Sequence, residues 1–301
     1  MKLLDPIYDA SFKHLMEDKR IARFFLSVLL DKEIEIDSFK PQEISVRNED
    51  RNTGFSTPRM DFIAIIKDGE KRKKVLIELQ QCFYESDISR FRTYLGKNYT
   101  YQDSINNQTQ DLEIISIYIL GFSINVPVAV IKTSNELIDA STKERLNITT
   151  DDVEFIAKLN HQSIFVDITK LETKIQTRVE KLLAIFNPKY RNKGTSTINI
   201  PDDIAQEIKS LNTAQEQKNP ILEKLEDALL DHEVLYAIDQ QEKFSAHFKK
   251  EKEKSREEGI ETGEKQKAIE MARKMKMKKF DVEEIAELTG LSIEEINNKL
   301  E

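Results

Sequence analysis

Apolar residues near the start of the chain recur at helical spacing. Over residues 8–30, Phe12, Leu15 and Met16, then Ile21, Phe24, Phe25, Val28 and Leu29 fall three or four positions apart, the stripe of an amphipathic helix. Ile34 and Ile36 alternate with acids, Pro41 interrupts, and Ile44 and Val46 begin a short strand. Residues 47–58 are polar, with Gly54 and Pro58, and read as a loop. Residues 60–66 and 75–80 are rich in β-branched and apolar side chains, and the Asp68-Gly69 turn signal lies between them. Together they predict a long hairpin whose tip, Lys71-Arg72-Lys73-Lys74, is basic.

Further on, Ile88, Phe91, Tyr94 and Leu95 predict a helix over 85–105. Strands are expected at 114–120 and 126–131 around Gly121, a short helix at 135–146 and a strand at 163–168. Residues 171–186 predict a helix with Ile175, Val179, Leu182 and Leu183 on one face, and 187–200 a loop. Pro201 suits a helix start, so 202–213 reads as a helix, and Pro220 opens a further helical run to about residue 256. Residues 249–279 are almost continuously charged and read as a solvated helix. Two short helices around Gly290 follow over 281–300, the second opened by the capping box Ser292-Ile293-Glu294-Glu295. The pattern divides the chain into 1–190, a helical extension 191–248, and a charged helix with a helix-turn-helix-like tail, 249–301.

Composition narrows the chemistry. Hydrophobic residues make up 39% of the 301 positions, enough for a core. Charged residues make up 33%, above the usual level of about a quarter, so some elements are solvated on most faces. A single cysteine, Cys82, and four scattered histidines exclude a disulfide framework and a zinc motif with regular spacing. Cys82 reads as a small buried apolar residue. The start, Met1-Lys2-Leu3-Leu4-Asp5-Pro6, has no signal-peptide run. The apolar stretch 114–131 is broken by Ser123, Asn125 and Pro127. No membrane partner is expected, and the expected location is the cytoplasm. The net charge of −8 is uneven: residues 1–100 hold 18 basic and 17 acidic side chains, whereas 101–245 hold 15 and 23. An acidic chain has no general pull on phosphate, so only its first third could offer an anion a neutral or positive face.

The hairpin holds the residues with the most chemistry. If its turn centres near Glu70, Asp61 lies opposite Gln80, and period-two alternation puts Asp61, Glu78 and Gln80 on one side. Carboxylates on otherwise buried strands are costly unless something compensates them. A hard divalent metal would do so. So would solvent at a strand end, or Arg59 or Lys13 as a cap.

Asp9-Ala10-Ser11-Phe12-Lys13 lies in the first helix, Arg59-Met60-Asp61 opens one strand and Ile77-Glu78-Leu79-Gln80 lies in the next. Arg90 and Tyr94 follow one helical turn apart. In order and spacing these resemble the PD-(D/E)XK nuclease family transposases, also called recombination-promoting nucleases. The resemblance is most specific over 5–105, covers 111–187 in pattern and the tail from 257 to 300 in composition. It implies an α/β, restriction-endonuclease-like mixed sheet flanked by helices, followed by a helical C-terminal extension. It also implies metal-dependent cleavage of DNA phosphodiesters, associated with recombination or mobile elements.

By position, the resemblance makes Asp61 and Glu78 the carboxylates for Mg²⁺ (or Mn²⁺), with the Leu79 carbonyl as a further donor. Gln80 stands where the wider superfamily usually has a lysine, although this family tends to carry Gln. A lysine can orient or help deprotonate the attacking water and brings positive charge, whereas an amide only orients. Lys13 is the candidate replacement. Divalent ions stabilise the negative charge that builds on a phosphate under attack and lower the pKa of bound water. Asp9 reads either as an outer ligand or partner of Lys13, or as an acid favoured at a helix N-terminus. Arg90 could contact phosphate or hold Glu78, and Tyr94 reads as core. Lys71, Arg72, Lys73 and Lys74 are candidates to grip a DNA backbone, with solubility as the plainer explanation.

The tail offers Glu294 and Glu295 at the first turn of its last helix, which would repel phosphate. It reads better as a protein–protein contact, including self-association through the C-terminal helices, than as a base reader. The rival to a nuclease is therefore a catalytically silent DNA-associated scaffold or regulator that uses this tail.

Overall fold

The computed structural model describes residues 1–301 apart from 45–58, 84, 101–102, 106–107, 134–135, 150–152, 214–218 and 300–301. The loop expected at 47–58 lies outside the described residues. In chain order the first elements are β1 (Lys2–Leu4), α1 (Asp9–Met16), α2 (Lys19–Leu30), β2 (Glu35–Ile44), β3 (Arg59–Asp68), β4 (Lys71–Gln80) and α3 (Glu85–Thr100). Then come β5 (Asp103–Ile105), β6 (Gln108–Gln110), β7 (Glu113–Leu120), β8 (Val130–Lys132), β9 (Glu136–Ile138), β10 (Arg145–Thr149), α4 (Glu154–Leu159) and β11 (His161–Asp167). The remainder is α5 (Arg178–Leu183), β12 (Thr197–Asn199), α6 (Asp202–Lys209), α7 (Ile221–Asp227), α8 (His232–Met277), α9 (Val282–Thr289) and α10 (Ile293–Lys299).

The main sheet has six strands in the order β2-β3-β4-β7-β11-β8. Strands β2, β3 and β4 are antiparallel, β4, β7 and β11 are parallel, and β8 closes the far edge antiparallel to β11. The fold is thus α/β with a mixed sheet, as expected, with a helical C-terminal region. Alternation along the strands sends Phe62, Ala64, Ile66, Val75, Ile77, Ile117 and Ile119 into the main core beneath α1, α2 and α5. Phe12, Phe25 and Phe186 meet there with ring centroids 5.8–6.2 Å apart. The opposite face is covered by α3. The parallel strands β4, β7 and β11 end side by side at Gln80, Leu120 and Asp167, the edge at which open α/β sheets bind ligands.

The helical stripe at 8–30 is two helices, because Asp18 caps the second by accepting from the Arg20 amide at 2.9 Å. The helix expected at 135–146 is the β9–β10 ribbon. Asp139 accepts from the Ser141 and Thr142 amides, at 2.7 and 3.1 Å, and Lys143 takes φ 64°, so a local turn outcompetes the helix. The α-helix expected at 171–186 is confined to Arg178–Leu183, where Thr177 and Glu180 form a capping box. The expected loop 187–200 includes β12, which pairs with β1.

Residues 1–238 form one unit and 239–301 a second. Ile198, Ile204, Ile208, Leu222 and Leu225 belong to the same core as the sheet, so the expected boundary at 190/191 does not separate two cores. Within the second unit, Ala272, Met275, Ile285, Leu291 and Ile296 make a small core of their own, and Gly290 ends α9 at φ 69°. Among the described residues, no helix is long and apolar enough to cross a membrane.

Gly121 follows β7 and donates its amide to the Gln80 carbonyl at 2.7 Å. A Cβ at Gly121 would lie 2.4 Å from the Gln81 carbonyl oxygen, which belongs to the backbone and cannot rotate away. Gly121→Ala should therefore destabilise the fold by about 1–3 kcal/mol in urea unfolding, the range for overpacking. An unchanged midpoint would show that the end of β4 is not held this tightly.

Candidate functional site

The site grows from β4, a central strand hydrogen-bonded to β3 on one side and β7 on the other. Its turn is two residues long, with Gly69 at φ 66° as the first, the position where a type II′ hairpin needs positive φ. The register Asp68↔Lys71 through Phe62↔Ile77 follows. Continued by one residue, it sets the Asp61 backbone level with Glu78 rather than with Gln80 as expected. The shift is two positions, and Glu78 lies on the side of the sheet that α3 covers. The Asp61 side chain lies outside the described residues.

On that side, Phe91, Tyr94, Leu95 and Asn98 of α3 close over Ile63, Leu76, Ser116 and Tyr118, leaving a narrow cleft that Glu78 helps to line. The side chains of Glu78 and Arg90 are 12% and 10% exposed. Arg90 Nη2 donates to Glu78 Oε1 at 3.0 Å and, over a short contact, to Gln80 Oε1. The Gln80 amide nitrogen turns the other way and donates to the Cys82 carbonyl at 2.6 Å. Arg90 rests over the Phe91 ring, 4.8 Å from its centroid. Phe91 packs on Tyr118, and Tyr118 stacks on Phe165 at 5.0 Å. The guanidinium is therefore held from below by an aromatic stack and from the side by two oxygens.

Of the two roles open to Arg90, the structure has it holding Glu78. Tyr94 is buried, as expected of a core residue. Asp9 and Lys13 lie one turn apart on α1, both half-buried. The start of that helix is drawn to the end of β4, where Gln81 Nε2 donates to the Ile7 carbonyl at 3.3 Å. Cys82, expected to be buried, is exposed.

The basic run departs from its expected place. The hairpin tip is Gly69 and Glu70, and Lys71, Arg72, Lys73 and Lys74 are the first residues of β4. Arg72 pairs with Asp37 at 2.6 Å, Lys73 with Glu113 at 2.9 Å and Lys74 with Asp103 at 2.6 Å. The side chains of Lys73 and Lys74 are only 5% and 4% exposed. These two are spent on carboxylates inside the covered layers and are withdrawn from the set that a DNA backbone could reach. Alternation along β4 sends them to opposite faces of the sheet, a sign already present in the sequence once the strand is known to begin at Lys71. Their partners Asp103 and Glu113 are distant in sequence, and no local pattern points to them.

Asp37 occupies an irregularity in the β2–β3 pairing. Partial burial works against its charge, yet hydrogen bonds from Arg72 and Lys67 hold its carboxyl below the usual range. At the opposite end of the α3-covered face, the Tyr99 hydroxyl and His161 Nδ1 are 2.9 Å apart. Burial raises the Tyr99 pKa, with Tyr118 adding to the effect, and burial lowers that of His161, so both favour their neutral forms.

Among the described side chains, no group of three or more His, Cys, Asp or Glu is arranged to hold a metal ion. The oxygens of Glu78 and Gln80 nonetheless converge on one point, now filled by Arg90 Nη2, so they can gather around a cation, and oxygen donors suit Mg²⁺ or Mn²⁺. No protein-family model, curated protein or solved structure matches this chain.

The buried pairs give an asymmetric prediction. Asp103→Ala leaves the Lys74 charge buried without its carboxylate and should cost about 3 kcal/mol, whereas Lys74→Met, which keeps the stem, should cost clearly less. Equal losses in urea unfolding would show that the charge pair is not the operative contact.

In the second unit, Glu295 is held down to about 2 by a hydrogen bond from Lys265 and by the Ser292 amide and hydroxyl. Its folded pKa lies below the unfolded one, so the stability it adds is present above about 4.5 and is lost as pH falls through about 2. A carboxyl ¹³C titration should give a midpoint near 2, and one near 4.5 would mean that the cap is absent in solution.

Proposed function

We propose that the chain is a metal-dependent DNA endonuclease of the PD-(D/E)XK nuclease family transposase type, built on a restriction-endonuclease-like core and associated with recombination or mobile elements. One observation carries this reading. Glu78 and Gln80 project from the end of a central strand with their oxygens convergent on one point, and the hairpin register, if continued by one residue beyond Phe62↔Ile77, sets the Asp61 backbone level with Glu78.

Asp61 and Glu78 are the residues that would hold Mg²⁺ or Mn²⁺, with the Leu79 carbonyl as a further donor. When bound, the ion supplies charge stabilisation on the phosphate and an acidified water. The chain itself contributes orientation. Gln80, anchored through its amide nitrogen to the Cys82 carbonyl, presents its amide beside Glu78 and can order a nucleophilic water. It brings no positive charge, so that duty passes to the ion or to a cation from α1, with Lys13 as the candidate and Asp9 as its supporting acid. The α3 side of the cleft, lined by Phe91 and Tyr94, limits water around the reacting group. DNA reaches the site over residues 1–100, the only part of the chain with a slight positive balance.

A second reading has its own observation. Arg90 neutralises Glu78 without any metal, which suits a catalytically silent DNA-associated scaffold that uses the helical tail for protein contacts. Nicking of supercoiled plasmid in Mg²⁺ separates the two. The native chain should convert plasmid to open circles, and Asp61→Ala and Glu78→Gln should each slow this by about a hundredfold or more, the scale on which a site loses its electrostatic stabilisation. Equal cleavage by all three proteins would remove these residues from the site, and no cleavage by the native chain would favour the scaffold.

A further inference from the structure

The Arg90 contact has a consequence for how the site is switched on. A guanidinium stays protonated at every accessible pH. Glu78 is therefore compensated as the protein stands, and its Oε1 is engaged by Arg90 Nη2 at 3.0 Å. The same nitrogen engages Gln80 Oε1. Two oxygens that belong to different residues of β4 thus share a single cationic nitrogen. Here the oxygens gather around one point, as donors gather around an ion. Arg90 is also backed by Phe91, whose ring lies 4.8 Å away. The guanidinium thus has a second contact, on α3, besides Glu78.

We propose that Arg90 is a resident counter-cation that keeps the Glu78–Gln80 pair assembled and competes with a divalent metal ion for the same oxygens. The inference rests on the metal-dependent reading given above and adds to it a latch. With the latch closed, β4 keeps its carboxylate in the strand-end cleft without the cost of an uncompensated buried charge. With the oxygens given over to a divalent ion, Arg90 stays on α3 beside the cleft, where its guanidinium can meet a phosphate oxygen. Arg90 is a positioning residue in the first state.

Calorimetric titration of the full chain with MnCl₂ tests this. Arg90→Met keeps the length of the stem and removes the charge. It should bind Mn²⁺ about tenfold more tightly than the native chain, the scale on which one adjacent charge alters a carboxylate. Mn²⁺ affinity equal to or weaker than that of the native chain, in a variant that melts at a similar temperature, overturns the latch. Should the variant not fold, the native chain still decides. Its Arg90 Nε–Hε NMR signal, identified with Arg90→Lys, should move when MgCl₂ is added, and a signal that stays put at saturating Mg²⁺ overturns the proposal. The failures of the two readings differ. Glu78-dependent Mn²⁺ binding that Arg90→Met leaves unchanged removes the latch alone. Tighter binding in Arg90→Met together with no plasmid cleavage by the native chain removes the nuclease and keeps the latch.

Discussion

The structure turns on the compensation of charge along one central strand. β4 is covered on both faces, yet it carries Lys73, Lys74, Glu78 and Gln80 into those layers. A buried charge without a partner costs more than most side-chain contacts return. Each of the three charges has a partner from another element: Glu113 at the start of β7, Asp103 after α3, and Arg90 within α3. These pairs tie the strand to its neighbours at fixed points along its length. They also fix the position of α3 over the sheet, because Lys74 donates to the Asn98 carbonyl near the end of that helix and Glu78 binds Arg90 near its start.

That arrangement places the candidate chemistry where the sheet changes character. On one side of β4 the pairing is antiparallel, and on the other it is parallel. The parallel strands all end at the edge where Gln80 stands, and the first helix begins beside it through the Gln81–Ile7 contact. Gly121 lets the backbone after β4 approach the end of β7 closely, with no room for a side chain. The strand end is therefore rigid before any ligand arrives, which is what positioning a reacting water requires. The second unit has its own core and its own cap at Ser292 and Glu295.

The sequence made the hairpin legible because β-branched runs and an Asp-Gly turn are local signals. The expected register was off by two, because the turn is Gly69 and Glu70 rather than one centred near Glu70. Other features were hidden because their causes are not local. The β1–β12 pairing joins residues almost two hundred positions apart. The β9–β10 ribbon depends on Asp139 folding its carboxylate onto the next amides, which no hydrophobic period reports. The basic run read as a solvated tip because counting charges cannot reveal Asp103 and Glu113 across the sheet. Arg90 was visible as a candidate, but its choice of Glu78 and Gln80 together became apparent only from the geometry.

The most direct test of metal-dependent chemistry at this strand end is a crystal of the full chain soaked in Mn²⁺, with diffraction recorded at the manganese absorption edge. The expected result is an anomalous peak between the carboxylates of Asp61 and Glu78, with Arg90 drawn back from Glu78 onto Phe91. Arg90 still clasping Glu78, with no peak at saturating manganese, would contradict it.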